Sequence, residues 1–296
     1  MVVGAIELGG TKTIMAVGDD PLKPLAQTRI ATGAGPETLE AVEGFFRDAA
    51  REHSAIGALG IAAFGPLDLD PDSAGWGHVL GTVKPGWSGV DIAPRLSRAL
   101  GCPAAIDTDV NAAALAEYRL GAGQGCDPLV YLTVGTGIGG GLAVGGAPVR
   151  GLMHPEMGHI AIRRHADDDY PGICTYHGDC AEGLASGPSI VARFGCTRSG
   201  LPADHPFHAI LADYLGQLCA AIVFVVSPRR IVMGGGVMDG SGAHGDVAEA
   251  MRRWLGGYVA VPRLRAPDYI AAPRLEDAGL IGAFLMAQDS RAAARA

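Results

Sequence analysis

Apolar positions along the chain fall into short continuous runs and longer stretches of helical spacing. Residues 2–8 (VVGAIEL) and Thr13 to Val17 are two apolar runs separated by Gly9-Gly10-Thr11-Lys12, which predicts a strand, a glycine turn and a returning strand. Pro36 to His53 places Leu39, Val42, Phe45, Phe46 and Ala49 on one helical face. Gly57 to Phe64 predicts a buried strand ended by the Gly65-Pro66 turn signal. Val90–Leu100, Ala104–Asp107 and Asn111–Leu120 then predict helix, strand and helix. Between them, Pro66 to Gly89 is rich in Pro, Gly and Asp, a long loop of the kind that tends to carry function.

The opening pattern then returns. Leu129 to Val134 predicts a strand, Gly135 to Gly140 (GTGIGG) a glycine turn, and Gly141 to Val144 a short return strand. Two such units predict two related half-domains facing a shared cleft. An irregular segment, His154 to Cys180, precedes helices at Pro188–Phe194 and His208–Val226, the second ended by Pro228. Arg230–Met233 predicts a strand running into Gly234-Gly235-Gly236. Ala278–Ala287 predicts a last helix packing back on the body, and the tail RAAARA is expected to fray. Strands alternating with helices mean an α/β fold.

Composition bounds this picture. The 296 residues suit two domains, and 48% apolar with 18% charged residues fills two ordinary cores. Glycine, at 45 residues, is roughly twice its usual share of about 7% and is clustered at turns. A net charge of −8 argues against a polyanion-binding surface, so no nucleic acid partner is expected and phosphate contacts must be local. The N-terminus shows no basic and apolar leader pattern. The longest uninterrupted apolar run, Leu218 to Val226, falls short of the ~18–20 residues a bilayer needs, so no membrane segment is expected. Six cysteines are no disulfide framework, and the expected setting is a reduced cytoplasm.

The glycine turns expose backbone N–H groups with no side chain in the way, an anion nest to which Thr11, Lys12, Thr13 and Thr136 add donors. Such a pair can hold a triphosphate; equally, each turn can simply reverse the chain. The G-x-x-x-x-G-K-[ST] loop is absent. G-x-G-x-x-G is matched by Gly135 to Gly140, but a strand rather than a helix follows, which disfavours a dinucleotide. At the start of the helix after Ile106, Asp107 and Asn111 suit a capping role. Asp109 either caps as well or accepts the proton of an attacking hydroxyl in phosphoryl transfer. His159, Cys174, His177 and Cys180 form H-x14-C-x2-H-x2-C, a set suited to tetrahedral Zn²⁺. Four protein ligands leave no open position, so the zinc would be structural. Cys102, Cys126, Cys196 and Cys219 lie apart and read as small core residues.

In combination, the Ile6 to Lys12 start, LTVGTGIGGGL, HPEMGH, the zinc set, IVMGGGVM and Ala278 to Ala283 resemble the ROK family of bacterial sugar kinases over essentially the whole chain. The resemblance implies two actin-like (ribonuclease H-like) ATPase domains flanking an interdomain cleft. Their expected spans are 1–114, with a helix at about 277–290 packing back on it, and 115–276, with a zinc loop at 154–180. It implies phosphate contacts from Gly9, Gly10, Thr11, Lys12, Thr136 and Gly137, and nucleotide contacts from Pro188, Gly234, Gly235, Gly236 and Met238. Asp109 would be the catalytic base, and Glu156, His159, Glu182 and Thr108 would lie at the sugar. Implied partners are ATP with Mg²⁺, a hexose and a second copy of the chain in a homodimer.

Two positions depart from the family glucokinases: Glu7 stands in place of Asp, and Thr108 in place of the Asn before the catalytic Asp. With the Asp107-Thr108-Asp109-Val110-Asn111 and Tyr176-His177-Gly178-Asp179-Cys180 segments, they resemble the fructokinase branch. The expected reaction is therefore fructose to fructose 6-phosphate. The alternatives are a glucokinase or N-acetylhexosamine kinase of the same family, or a sugar sensor without turnover. A family repressor would carry a DNA-binding motif ahead of the first glycine turn; with only five residues ahead of Ile6 in this sequence, repressor function is not expected.

Overall fold

The structure is a computed structural model that describes residues 1–240 and 242–294. The chain divides into two compact units. The first comprises Met1–Ala116, Ala147–His154 and Leu275–Ala296; the second comprises Glu117–Gly146 and Pro155–Arg274.

In the first unit, β1 (Val2–Leu8) and β2 (Lys12–Gly18) form an antiparallel hairpin, and β3 (Ala26–Ala31) pairs with the outer edge of β2. On its other side β1 runs parallel to β4 (Ile56–Ala63), which runs parallel to β5 (Ala104–Thr108). The order is β3-β2-β1-β4-β5. β1 and β4 are buried on both sides, as strands covered on two faces must be, which is why they read as unbroken apolar runs. Helices α1 (Gly35–Glu52) and α2 (Ala93–Leu100) pack together and deliver Leu39, Val42, Phe46 and Leu96 to the core. The start of α3 (Asp109–Leu120) follows β5 directly, and α8 (Ala278–Ala293) packs on β1 and β4. A two-residue strand, β8, covers Ala147–Pro148.

The second unit repeats this topology. β6 (Leu129–Val134) and β7 (Ile138–Val144) form a hairpin, and β9 (Arg230–Gly234) and β10 (Ile270–Ala271) extend it in parallel from β6. Helices α4 (Ala181–Ala185), α5 (Gly187–Phe194), α6 (Phe207–Val226) and α7 (His244–Trp254) complete it. Hairpin plus two parallel strands in both units is the relation that the repeated strand–glycine turn–strand pattern implies.

Several local expectations are corrected. The helix expected from Val90 starts at Ala93, because Pro94 is tolerated only in a first helical turn. The helix expected from Asn111 starts at Asp109, because Thr108 caps it: its Oγ1 accepts the Asn111 N–H at 3.2 Å. The second glycine turn is shorter than Gly135–Gly140, since Ile138, Gly139 and Gly140 already pair with β6. The polar edge strand β3 and the helix α7 carried no clear signal; α7 hides behind the glycine-rich residues that precede it. The tail is helical as far as Ala293, and Arg295 and Ala296 lie outside the described residues. Cys102, Cys126 and Cys219 are buried, but Cys196 is half-buried and not a core residue.

The expectation of no membrane-length segment is also corrected. α6 is 20 residues long with mean hydropathy 2.0, enough by length and composition to cross a bilayer. Counting uninterrupted apolar residues missed it, because Asp213 and Gln217 lie within it. Those groups are tied into the second unit. Gln217 exchanges two 2.8 Å bonds with the backbone of Arg163, Tyr214 donates to Asp168, and Asp213 accepts from Trp254 Nε1. With 61% of its most apolar stretch buried, α6 is packed as a core helix.

Candidate active site

The chemistry of the first unit gathers at the carboxyl ends of its parallel strands, where α/β sheets hold their ligands. Leu8 is level with Ala63 and Ala63 with Thr108, so three segments leave the sheet side by side: Gly9-Gly10 after β1, Phe64-Gly65-Pro66 after β4, and Asp109 after β5. Two strand spacings separate the glycine turn from Asp109, about 10 Å.

The turn is built to show donors outward. Gly9 N–H donates to the Lys12 carbonyl at 3.0 Å, Thr32 Oγ1 donates to the Gly9 carbonyl at 2.8 Å, and Thr32 N–H donates to the Thr11 carbonyl at 3.0 Å. The Gly10 carbonyl accepts from Lys84. With every carbonyl of the turn engaged, the exposed Gly10, Thr11 and Lys12 offer N–H, hydroxyl and ammonium groups, a surface for an anion. Thr13 is buried and bonds Thr32 at 2.8 Å, so it supports the turn from beneath. Glu7 accepts from Leu280 N–H at 3.2 Å; burial raises its carboxyl above the ordinary range, against the pull of Lys12.

Asp109 is half-buried in the first turn of α3, and its Oδ1 accepts the Val110 N–H at 2.9 Å. Capping falls to Thr108 rather than to Asp107 or Asn111. Asp107 is fully buried instead: Oδ1 accepts from Thr108 N–H and Asn111 Nδ2, both at 2.8 Å, and Oδ2 from Arg150 Nε at 2.8 Å. This anchor, linking residues 43 apart, fixes the strand–helix junction that carries Asp109, and no local pattern announces it. The buried His154 ties a second junction, accepting the Leu67 N–H at 3.1 Å just after the Gly65-Pro66 bend.

In the second unit the same strand ends converge. Val237 N–H donates to the Val134 carbonyl at 3.0 Å and Gly187 N–H to the Gly135 carbonyl at 2.7 Å. The second glycine turn, the start of α5 with Pro188, and the Gly234–Met238 segment therefore meet. Gly235 has φ +93°, and a Cβ there would lie 2.5 Å from the Val134 carbonyl oxygen, so glycine alone fits. Thr136 and Gly236 are exposed, whereas Met238 is buried.

The Glu156-Met157-Gly158-His159 segment seats on the start of β7. Met157 lies against Gly140, and a Cβ on Gly158 would fall 1.9 Å from the Ile138 carbonyl oxygen. Glu182, on α4, accepts the Ile138 N–H at 2.9 Å. Glu156, His159 and Glu182 are thus arranged around one strand end. Glu156 keeps exposed surface, yet the protein around it, with the Glu182 carboxylate a lesser cause, pushes its carboxyl up to about 7.

His159, Cys174, His177 and Cys180 present one ligand atom each, all within 4.8 Å of one another. Cys174 Sγ lies 3.7 Å from His159 Nδ1 and 3.6 Å from His177 Nδ1, and Cys180 Sγ lies 3.6 Å from His159 Nδ1. A tetrahedral ion with ordinary Zn–S and Zn–N bonds sets S···N at about 3.6 Å. The set could hold a metal, and its geometry fits zinc.

The ROK family model matches residues 3–290. The chain belongs to the ROK family. A fructokinase of Zymomonas mobilis subsp. mobilis is 43% identical, over 97% of this chain and 96% of the relative. A fructokinase of Lactococcus lactis subsp. cremoris is 35% identical over 96% of each chain. The solved ROK hexokinase of Thermus thermophilus superposes with TM-score 0.77 at 32% identity, over 97% of this chain and 98% of that one. The ROK family glucokinase of Streptomyces griseus, solved with glucose and AMPPNP, gives 0.74 at 27% identity over 98% and 100%. Both units of this ROK chain accordingly have the actin-like ATPase fold.

Proposed function

We propose that the chain is an ATP-dependent fructokinase, transferring the terminal phosphoryl group of MgATP to the 6-hydroxyl of D-fructose. The observation that carries the chemistry is the shared sheet edge of the first unit, with a donor-lined turn after β1 and a half-buried carboxylate after β5. The near full-length likeness to fructokinases supports the sugar.

In this reading Gly9, Gly10, Thr11 and Lys12, with Thr136 and Gly137, contact the polyphosphate, whose charge Mg²⁺ shares. Pro188, Gly234, Gly235, Gly236 and Met238 flank the nucleoside. Because Met238 is buried, its contribution is to shape the segment rather than to present a side chain. Glu156, His159 and Glu182 orient the sugar, carboxylates being two-way acceptors for hydroxyl pairs. Thr108 caps α3 and so acts on the sugar through the placement of Asp109. Asp109 accepts the hydroxyl proton as the oxygen attacks phosphorus. Zn²⁺, held by His159, Cys174, His177 and Cys180, fixes the loop from which Glu156 and His159 project. A cytoplasmic homodimer is the expected working form, and sedimentation at twice the mass of one chain is the result that would support the dimer.

Coupled ADP release with MgATP and a panel of fructose, glucose and N-acetylhexosamines tests the proposal. The highest kcat/KM is expected with fructose. A higher value with glucose overturns the sugar assignment, and sugar binding without ADP release favours a sensor.

A further inference from the structure

The chain contains three lysines, Lys12, Lys23 and Lys84, against twenty arginines, and two of the three stand at the first glycine turn. Lys84 belongs to the long loop after β4, 74 positions from Gly10, whose carbonyl its ammonium meets. Nζ also lies 5.8 Å from the centre of the Phe64 ring. Among the described residues neither Lys84 nor Lys12 forms an ion pair. A neutral carbonyl is a weak partner for an ammonium beside what a phosphoryl oxygen would be.

The loop under Lys84 is fixed. Trp87 is fully buried, donates Nε1–H to the Gly33 carbonyl at 2.9 Å and sets its ring edge-on to Phe64 at 5.0 Å. Gly35 N–H donates to the Gly86 carbonyl at 3.2 Å. The backbone is held by these contacts, so the ammonium is free to change partners without unfolding the loop. Its position along the sheet edge is the informative part. The anion turn follows β1, Asp109 follows β5, and Phe64, beneath Lys84, follows β4, the strand between them.

We propose that Lys84 is the cation of the phosphoryl group in transit: it holds the terminal phosphate of the bound nucleotide at the first glycine turn and stays with it as it reaches the sugar oxygen. This rests on the kinase reading above. The bond from the sugar oxygen to phosphorus forms as the bond to the bridging oxygen of ADP breaks. ADP leaves with that electron pair, the hydroxyl proton passes to Asp109, and Lys84 neither gains nor loses a proton. Lys84 is then a catalytic residue through charge alone.

Calorimetric dissociation constants for ATP and ADP, with steady-state kinetics on fructose, test this in the full-length wild type, Lys84→Met and Lys84→Arg. Lys84→Met is expected to weaken ATP about tenfold while leaving ADP within about twofold, and to lower kcat about 10²-fold. Lys84→Arg is expected to restore most of kcat, and all three proteins are expected to melt together because Trp87 anchors the loop. Unchanged kcat and ATP-to-ADP preference in Lys84→Met overturns the proposal, as does equal loss of ATP and ADP. If wild type releases no ADP with any sugar, the kinase reading fails, and the ATP against ADP comparison still decides the role of Lys84.

Discussion

Gly158→Ala perturbs the sugar end of the proposed site without altering any charged group. Its Cβ would lie 1.9 Å from the Ile138 carbonyl oxygen and 2.8 Å from the carbonyl carbon. An ordinary C···O approach is about 3.3 Å, so something must withdraw by about 1.4 Å. Both atoms belong to the backbone, so no side chain can swing aside. Ile138 is held on two sides, by pairing with Val134 and by the bond from its N–H to Glu182. The yield therefore comes from the 3-10 turn Met157–His159 and carries Glu156 and His159 with it. Displacing binding groups by about an ångström costs about 10²-fold in catalytic efficiency. The S···N separations of 3.6–3.7 Å around His159 would also open, weakening the metal set. The assay is kcat/KM for fructose with zinc content by atomic absorption and a melting curve to verify folding. Expected are a loss of about 10²-fold for fructose, reduced zinc, and a KM for ATP within about threefold of wild type. A folded variant with full zinc and fructose kinetics within about threefold of wild type would show that the Met157–His159 turn does not position the sugar-binding groups.

Further outcomes follow from the same geometry. Because Glu156 titrates near 7, its carboxylate, the form that accepts sugar hydroxyls, fills as pH rises through 7; KM for fructose is expected to fall between pH 6 and 8, and Glu156→Gln to abolish that dependence. The sign for stability is opposite. A carboxyl raised above its ordinary 4.5 contributes stability fully below about 4.5 and loses it as pH climbs to 7, so Glu156→Gln is expected to gain stability relative to wild type across that window, read from melting curves. Removing the metal with a chelator, or Cys174→Ser, is expected to lower the melting temperature by several degrees and weaken fructose binding while sparing ATP binding; unchanged fructose kinetics in the metal-free protein would remove the support role from the His/Cys set.

Local patterns made part of this molecule legible. The two hairpins were readable because doubly covered strands are unbroken apolar runs and the glycines between them mark the reversals. The C-x2-H-x2-C spacing was readable because a tetrahedral site draws ligands from one tight turn, here closed by paired bonds between Cys174 and Gly178. What stayed hidden depends on partners far along the chain. Asp107 looked like a cap, but its buried carboxylate is taken up by Arg150, 43 positions on, leaving the cap to Thr108. Lys84 sits in a loop with no helical or strand period, and only the folded course of that loop brings it to Gly10. α6 misled by count, since Asp213 and Gln217 break the apolar run yet find partners in Trp254 and Arg163.

The proposed mechanism turns on the Asp109 carboxylate receiving the sugar proton during phosphoryl transfer. Asp109→Asn keeps the size of the side chain and an oxygen for the Val110 N–H while removing the base. Single-turnover transfer from ATP to fructose, with calorimetric affinities for both ligands, measures this directly. Expected is a rate lower by about 10³-fold with both affinities within about threefold of wild type. A transfer rate within threefold of wild type would contradict it.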